Sequence, residues 1–360
     1  MNMKYKRLGE LCNIVSGGTP SRSKTEYWNE GTIPWIKIGN IKGKYINEAD
    51  EFITQMGLDK SSAKLLTKGT VLYSIFATLG EVGILGIDAC TNQAIAGITI
   101  KDVSSIDADY LYYYLKSKKS YVNNVGRGVA QNNINLSMLR EFEVPLLELH
   151  KQKEIVTILD MVLNIIVARK EELKKLDELI KARFVEMFQD GYSPLKTVEE
   201  ICSNIVDCPH TTPKYEGELK NPAIRTSEIK KGFLVWNTMR YVSDDEYLKR
   251  TVRLIPEAGD IVYGREGTFG NAAILPAGYK FCLGQRVMLL RPDYSKCTSE
   301  YLLHAVISDD VYQQAVVKNN ASTVAHVNVK DVKQFKVPLP SLDKQKEFAD
   351  FVNQVNKSKF

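Results

Sequence analysis

The sequence has little of what a disulfide-bonded, membrane-spanning or metal-binding protein needs. Its 360 residues include six cysteines and four histidines, and no two cysteines form a CxxC pair. No apolar run approaches the roughly 20 residues that cross a bilayer, and the N-terminus lacks the pattern of a secretory signal. These absences predict a reduced, cytoplasmic chain without a disulfide framework. A net charge of +5 permits a polyanionic partner without requiring one.

Motifs of common enzymes are absent as well. The sequence contains no GxxxxGK[ST] phosphate loop, no HExxH or GxSxG, and no Asp/Asn-Pro-Pro-aromatic tetrapeptide of target methylation. Cys202, Cys208 and His210 are conceivable zinc ligands, but Cys202 repeats Cys12 at an apolar position, which favours burial. We therefore expect no catalytic residue, no metal and no cofactor in this chain.

What the sequence does contain is a chain-long duplication. The stretch "LGELCNIVSGGTP" returns as "VEEICSNIVDCPHTTP", and Gly69 and Gly80 align with Gly259 and Gly270. Further on, "MLREFEVPLLELHKQKEIV" aligns with "DVKQFKVPLPSLDKQKEFA". A period near 190 residues indicates a tandem domain duplication, because solenoid repeats are about 20 to 50 residues long. The matched glycines are expected to serve turns with positive φ.

The pattern within each copy differs from the pattern between the copies. Each copy has short β-rich runs bounded by Gly, Pro and Asn, with fewer helices. From 150 to 188 there is no Gly or Pro, and apolar residues recur at coiled-coil spacing. We predict an α+β protein with two homologous mixed α/β domains, 1–147 and 191–340, a long helix at 148–190, and a shortened counterpart at 341–360.

The long helix is predicted to bind a partner helix through one apolar seam. A plain interdomain spacer is the alternative. The counterpart helix is about 21 residues shorter, which predicts a coiled coil that is only partly paired and an unpaired part open to self-association. The seam consists of Ile155, Leu159, Val162, Ile166, Leu173, Leu176 and Ile180.

Two domains that alternate with long helices, each closing in F-x-V-P-L before a "KQKE" helix start, resemble the specificity subunit of Type I restriction–modification systems. "GREGTFGNAAIL" resembles the glycine turn of that family's target-recognition domains, and "SGGTP" with "IPWIKIGNI" resembles their N-terminal stretch. The resemblance covers the whole chain. It implies that each domain reads one half of a bipartite double-stranded DNA site, without catalysis of its own.

The resemblance also implies partners. The helices are expected to form an antiparallel coiled coil that docks two modification (methyltransferase) subunits, and restriction (translocase and nuclease) subunits join that complex. Two other readings stay open: a coiled-coil scaffold or silent truncated variant, without selective DNA binding, and a stand-alone enzyme that turns over with divalent metal or S-adenosylmethionine.

Candidate DNA contacts are polar side chains in loops where the two copies differ. Arg, Lys, Asn, Ser and Thr serve both base edges and phosphates, and a solvated surface residue is the alternative for each. The predicted phosphate contacts are Lys24, Lys37, Lys42, Lys44, Lys230 and Lys231. The predicted base-edge contacts are Arg22, Asn40, Thr78, Arg225, Ser227, Arg265 and Thr268. Two aligned polar loops, for which DNA contact and plain loop are equally open, add Arg127, Gln131, Asn132, Lys318, Asn319 and Asn320.

Overall fold

The computed structural model describes residues 4–126, 134–189, 191–216, 219–267, 270–318 and 326–359, with the side chains of 124–126 and 318 excepted. The chain divides into two compact units, Met1–Val167 and Ala168–Phe360. Both units combine short strands with helices, which confirms the predicted mixed α/β class. The finer division into four segments stays a prediction. No described helix is long and apolar enough to cross a membrane.

The first unit is built around a central sheet. Its strands are β1 (Lys4–Arg7), β2 (Cys12–Ser16), β3 (Ile33–Ile36), β4 (Tyr45–Ile46), β5 (Glu51–Ile53), β6 (Val71–Ser74), β7 (Val82–Leu85), β8 (Cys90–Thr91), β9 (Ile95–Ile100) and β10 (Glu143–Leu146). Its helices are α1 (Leu8–Leu11), α2 (Gln55–Asp59), α3 (Ala108–Ser117), α4 (Lys119–Gly126) and α5 (Leu136–Arg140), followed by the long helix α6 (Leu149–Phe188). The central sheet has the order β2-β9-β6-β7-β4 and a smaller sheet the order β5-β3-β8, while β1 pairs with β10.

Both faces of the central sheet are buried, because apolar residues on its inner strands point to both sides. Along β6, Val71 and Tyr73 lie in one cluster with Leu111 of α3. The intervening Leu72 lies in a second cluster with Ile36. Successive side chains of a strand point to opposite faces, so β6 contributes side chains to the core on each side of the sheet. This explains why the run "TVLYSIF" shows no polar alternation.

The second unit repeats this arrangement. Its strands are β11 (Leu195–Thr197), β12 (Cys202–Asp207), β13 (Asn221–Ile224), β14 (Arg240–Val242), β15 (Ile261–Gly264), β16 (Ala272–Ile274), β17 (Cys282–Leu283), β18 (Val287–Pro292) and β19 (Lys336–Pro338). Its helices are α7 (Val198–Ile201), α8 (Asp244–Arg250), α9 (Ser299–Val306), α10 (Asp309–Lys318), α11 (Val329–Lys333) and α12 (Leu342–Lys357). The sheets have the orders β12-β18-β15-β16 and β14-β13-β17, and β11 pairs with β19.

The strand registers confirm the duplication. In the first unit β6 and β9 pair Ser74 with Ile95, and in the second β15 and β18 pair Gly264 with Val287. Each small sheet also contains a parallel pair at matching positions, β3 with β8 and β13 with β17. Strand β4, parallel to β7 in the first unit, has no counterpart strand among the described residues of the second.

The glycines of the repeated phrase do serve left-handed turns. Gly69 and Gly259 have φ of 88° and 90°, and Gly80 and Gly270 have φ of 79° and 83°. Only glycine adopts this region without a steric cost. The phrase recurs because each copy needs the same two turns, one before and one after the strand β6 or β15.

The long helix spans 40 residues, about 60 Å, and confirms the predicted helix. Within the second unit its final turns lie antiparallel to α12. The rings of Phe184 and Phe188 lie 5.5 and 5.3 Å from the ring of Phe348. At the flank, Arg183 donates to Glu347 at 2.9 Å. With 16 residues, α12 is much the shorter of the two helices, as predicted.

Candidate nucleic-acid interface

A capped 3₁₀ turn follows the same strand in both units. After β3, the side chain of Asn40 accepts a hydrogen bond from the backbone N–H of Lys37 at 2.9 Å. After β13, the side chain of Glu228 accepts one from the backbone N–H of Arg225 at 3.0 Å. Asn40, predicted as a base reader, therefore orders its own turn. Two of the predicted contacts, Lys37 and Arg225, occupy the same structural position.

The side chain of Arg225 is held by its own turn. Its Nε lies 2.9 Å and one Nη 2.5 Å from the carboxylate of Glu228, which is fully buried. The same Nη donates to the carbonyl of Thr238 at 3.0 Å, and Ser227 Oγ donates to Glu228 at 2.7 Å. These bonds compensate the burial of a carboxylate, which gives Arg225 a structural task in the free protein. Ser227 itself is exposed.

In the first unit, two of the predicted DNA-contacting residues form ion pairs with Glu51. Lys37 and Arg22 both pair with this carboxylate, Arg22 at 2.5 Å. The guanidinium carbon of Arg22 also lies 3.6 Å from the ring centroid of Trp28, a cation–π geometry. Lys37 and then Arg22 hold the pKa of Glu51 below its usual value, against the opposing effect of burial. Arg22 nevertheless remains 54% exposed.

Lys44 lies in a network that ties its loop to α6. Its Nζ lies 2.8 and 2.9 Å from the two carboxylate oxygens of Asp160 and 2.9 Å from Asp109. Tyr113 donates to Asp160 as well. Burial works to raise the pKa of Asp160, but the hydrogen bonds from Lys44 and Tyr113 outweigh it and lower that pKa. With 12% of its side chain exposed, Lys44 anchors the domain to the helix.

Arg265 is likewise internal. Its guanidinium lies 2.7 Å from Asp207 Oδ1 and 3.5 Å from the carbonyl of Val327, and the residue is 5% exposed. The pair joins the ends of β12 and β15, because Asp207 closes the first strand and Arg265 follows the second.

Other predicted contacts are exposed or, in the case of Lys230, half-buried. Lys42 and Lys230 occupy equivalent positions two residues after the capped turns, and neither has a side-chain partner among the described residues. Thr78 is exposed, and Lys24 Nζ donates to the hydroxyl of Tyr27 at 3.0 Å. Lys231 Nζ lies 3.5 Å from Asp309 and is 52% exposed.

The aligned polar loops lie mostly outside the described residues. This applies to Arg127, Gln131, Asn132, Asn319 and Asn320, and to the side chain of Lys318. Thr268, the base-edge candidate of the second glycine turn, also lies outside the described residues. The points at which these loops rejoin the fold are described. Ile134 N–H donates to the carbonyl of Ile75 at 3.0 Å, and Val327 N–H to that of Arg265 at 2.9 Å. Both loops thus return to the fold beside the end of β6 or β15.

The sequence analysis did not predict that a buried glutamine near the start of α6 and of α12 holds each helix in place. Gln152 is fully buried, and its amide donates to Ser105 O and Leu147 O while accepting from Asp107 N–H, at 2.8 to 2.9 Å. Gln345 makes the same three bonds with Lys296 O, Pro340 O and Thr298 N–H. Gln152 fixes α6 to the N-cap of α3, and Gln345 fixes α12 to the N-cap of α9. The "KQKE" string that both copies share was the sequence signal from which this role could have been predicted.

The predicted seam of α6 is covered unequally. In the second unit Ile180 is buried, and Leu176 packs against the same core. In the first unit Val162 and Ile166 are 47% and 45% exposed. The aligned positions on α12 include Val355, which is buried against α6. The C-terminal end of the seam therefore has a partner helix within its unit, Ile155 packs against the core of the first unit, Leu159 and Leu173 are half-buried, and Val162 and Ile166 are open.

No three metal-binding side chains cluster in the part of the chain that the structure describes. Of the conceivable zinc ligands, Cys208 is buried, while His210 Nε2 lies 3.3 Å from Asp207.

Two copies of one mixed α/β domain, each followed by a glutamine-anchored helix of a coiled coil, define a tandem-domain protein. Residues 1–177 and 213–359 match the family model described as Type I restriction modification DNA specificity domain, and the chain belongs to this family.

Relatives in that family are named as specificity subunits. The chain is 29% identical to the Type I restriction enzyme MjaIX specificity subunit of Methanocaldococcus jannaschii over 56% of its own length and 47% of the relative's. It is 27% identical to the EcoR124I/EcoR124II specificity subunit of Escherichia coli over 44% and 40%. These matches span less than half of each relative. The MjaVIII specificity subunit matches over 97% and 85%, at 21% identity.

Solved structures show the same fold. The S subunit of M. genitalium superposes with a TM-score of 0.54 at 17% identity, over 99% of this chain and 91% of that one. A chain from a structural study of complex assembly and conformational transition of the type I R-M system gives a TM-score of 0.57 at 16% identity, over 99% and 90%.

Proposed function

We propose that this chain is the non-catalytic DNA-reading subunit of a cytoplasmic Type I restriction–modification complex. Each unit reads one half of a bipartite double-stranded site, and the long helix docks two methyltransferase subunits, which restriction subunits join. The family match supports this proposal. The relatives' names, all specificity subunits of Type I restriction enzymes, support it as well.

The observation that carries the proposal is one backbone with two different sets of side chains, of which Phe76 in the first unit and Arg286 in the second are exposed. The hydrogen bond from Ile75 N–H to Ala94 O has its counterpart between Arg265 and Arg286. Around this bond, apolar side chains in the first unit stand where the second unit has charged ones. Two readers that share a fold and differ in their surface chemistry suit a target whose halves differ.

The charge pattern supports the reader over the scaffold. Most cations near the variable loops already have carboxylate partners, which leaves the exposed Lys42 and the half-buried Lys230 as a matched pair without carboxylate partners among the described residues. Matched cations on two homologous domains suit the phosphates of two half-sites. Together with the exposed Arg22, Thr78, Ser227 and Lys231, these residues form the proposed contact set, whereas Lys44, Arg225 and Arg265 have structural tasks.

An exposed apolar strip on α6, which includes Val162 and Ile166 of the seam, supports docking of a protein partner. Ile158, Met161, Val162, Ile165 and Ile166 are all exposed within three turns of α6. A contiguous apolar strip of this kind marks an interaction surface. Glu154 flanks it at the position that Glu347 holds on α12. Arg183 pairs with Glu347, whereas no described residue pairs with Glu154 in this way. A docking helix with apolar residues and a basic flank fits this surface.

Selection from a randomised duplex pool tests the function, with the chain alone and with modification subunits. We expect two different short blocks at a fixed separation. A pool without enrichment under both conditions would instead favour the scaffold or the silent variant, and turnover by the purified chain would favour an enzyme. A chain with Lys249→Ala, an exposed change on α8, is the matched control and should select the same blocks.

A further inference from the structure

One end of the central sheet has the same backbone in both units but opposite chemistry. Backbone bonds match Ile75 with Arg265 and Ala94 with Arg286. The strand pairings Ser16 with Ala96 and Asp207 with Met288 extend the match to β2 and β12. The first unit thus carries Ser16, Ile75, Phe76 and Ala94 at this end, and the second carries Asp207, Arg265, Glu266 and Arg286.

Arg286 is the exposed member of the charged set. Its Nε lies 2.8 Å from Glu266 Oε2, and its side chain is 62% exposed while that of Glu266 is 22% exposed. Among the described residues, no partner is found for its two terminal nitrogens. Glu266 is itself fixed, because it pairs with His326 across a β-bridge and its Oε1 lies 3.2 Å from His326 Nδ1. The guanidinium is therefore held at its inner edge and open at its outer edge.

The backbone of Arg286 is strained. Its φ is 66°, in the left-handed region that non-glycine residues seldom adopt. The flanking bonds maintain it, since its carbonyl accepts from Arg265 N–H at 3.0 Å and Val287 enters the ladder directly afterwards. Strain maintained at an exposed charged residue is typical of a recognition site.

We propose that Arg286 reads a guanine in the half-site of the second unit, with Glu266 as its positioning residue. The two free nitrogens of a guanidinium form the fork that matches guanine O6 and N7 in the major groove. The equivalent positions of the first unit are Phe76, which is exposed, and Ala94, and neither side chain can donate a hydrogen bond to a base. The inference rests on the proposed function, and it assigns to Arg286 part of the difference between the half-sites.

The test repeats the duplex selection with the full chain, alone and with modification subunits, for the original protein, Arg286→Gly and Arg286→Lys. Glycine suits the backbone angle, so the first variant is expected to fold with an unchanged melting temperature. It should lose a guanine preference of about ten- to hundredfold at one position and keep the other half-site. Lysine keeps the charge without the fork and should lose the same preference.

The outcomes of this selection distinguish a failure of the Arg286 inference from a failure of the proposed function. If the original protein selects two blocks and Arg286→Gly selects the same two, the inference is wrong while the function stands. If Arg286→Gly weakens binding alike for all sequences and keeps the guanine, Arg286 contacts a phosphate and the inference is wrong. If Arg286→Lys retains the guanine that Arg286→Gly loses, the charge and not the guanidinium fork reads the base. If the original protein selects no blocks, both proposals fail. Lys249→Ala, which removes the same charge from α8 of this unit, should change none of these preferences.

Discussion

At the scale of single residues, a side chain's partners decide its role more than its type. Gln152 and Gln345 sit in a charged "KQKE" string that a sequence reader takes for a solvated helix start. Both are fully buried, and each satisfies two carbonyls and one N–H. Among neutral side-chain groups, only the amide of Asn or Gln donates two hydrogen bonds from one nitrogen and also accepts through its oxygen.

We expect Gln152→Leu to lower the free energy of unfolding by about 2–4 kcal/mol, because it leaves buried backbone groups without partners. Gln345→Leu should cost a similar amount at the equivalent position. Denaturant unfolding followed by circular dichroism measures both effects. Lys153→Ala, an exposed neighbour on the same helix, is the control and should stay within about 0.5 kcal/mol. Equal stability of Gln152→Leu and the control would contradict the anchoring role.

At the scale of elements, the equivalent helices α6 and α12 are buried to different extents at their N-terminal ends. Ile155 of α6 and Phe348 of α12 are equivalent by the alignment of the two copies. Phe348 is fully buried between Phe184 and Phe188, whereas Ile155 lies only partly buried at the edge of its core.

Truncation at these two positions should therefore have unequal costs. We expect Phe348→Ala to destabilise by about 3–5 kcal/mol, as complete burial of a large ring requires. Ile155→Ala should cost about 1–2 kcal/mol, below the usual range for a buried isoleucine. Unfolding in urea, with the slope compared between variants, gives both values. Equal costs would mean that Ile155 is covered as completely as Phe348, for example by self-association, which a dilution series would reveal.

At the scale of the whole molecule, the net charge of +5 says little about which cations can meet a polyanion, because many lysines and arginines are paired with carboxylates. Lys37, Lys44, Arg225 and Arg265 all face carboxylates. The electrostatic attraction to a polyanion then depends on the few cations that remain in solvent.

Replacement of both Lys42 and Lys230 by alanine should reduce the slope of log K against log salt by about 2, since each phosphate contact contributes about 0.9. Affinity should fall alike for all sequences, because phosphate contacts carry no base information. Titration of labelled duplex at several salt concentrations measures the slope. The double change Lys344→Ala and Lys357→Ala removes the same charge from α12 and should leave the slope unchanged. An unaltered slope in the first pair would remove these lysines from the interface.

The sequence by itself determined the duplication, the mixed α/β class, the left-handed glycine turns and the long helix. All of these follow from local periodicity or from comparison of the chain with itself. Only the tertiary structure decided which charged residues are free. Lys44 and Asp160 are 116 residues apart in sequence, and Arg265 and Asp207 are 58 apart. Such pairs form because folding brings distant carboxylates to buried cations, and no local pattern records that encounter.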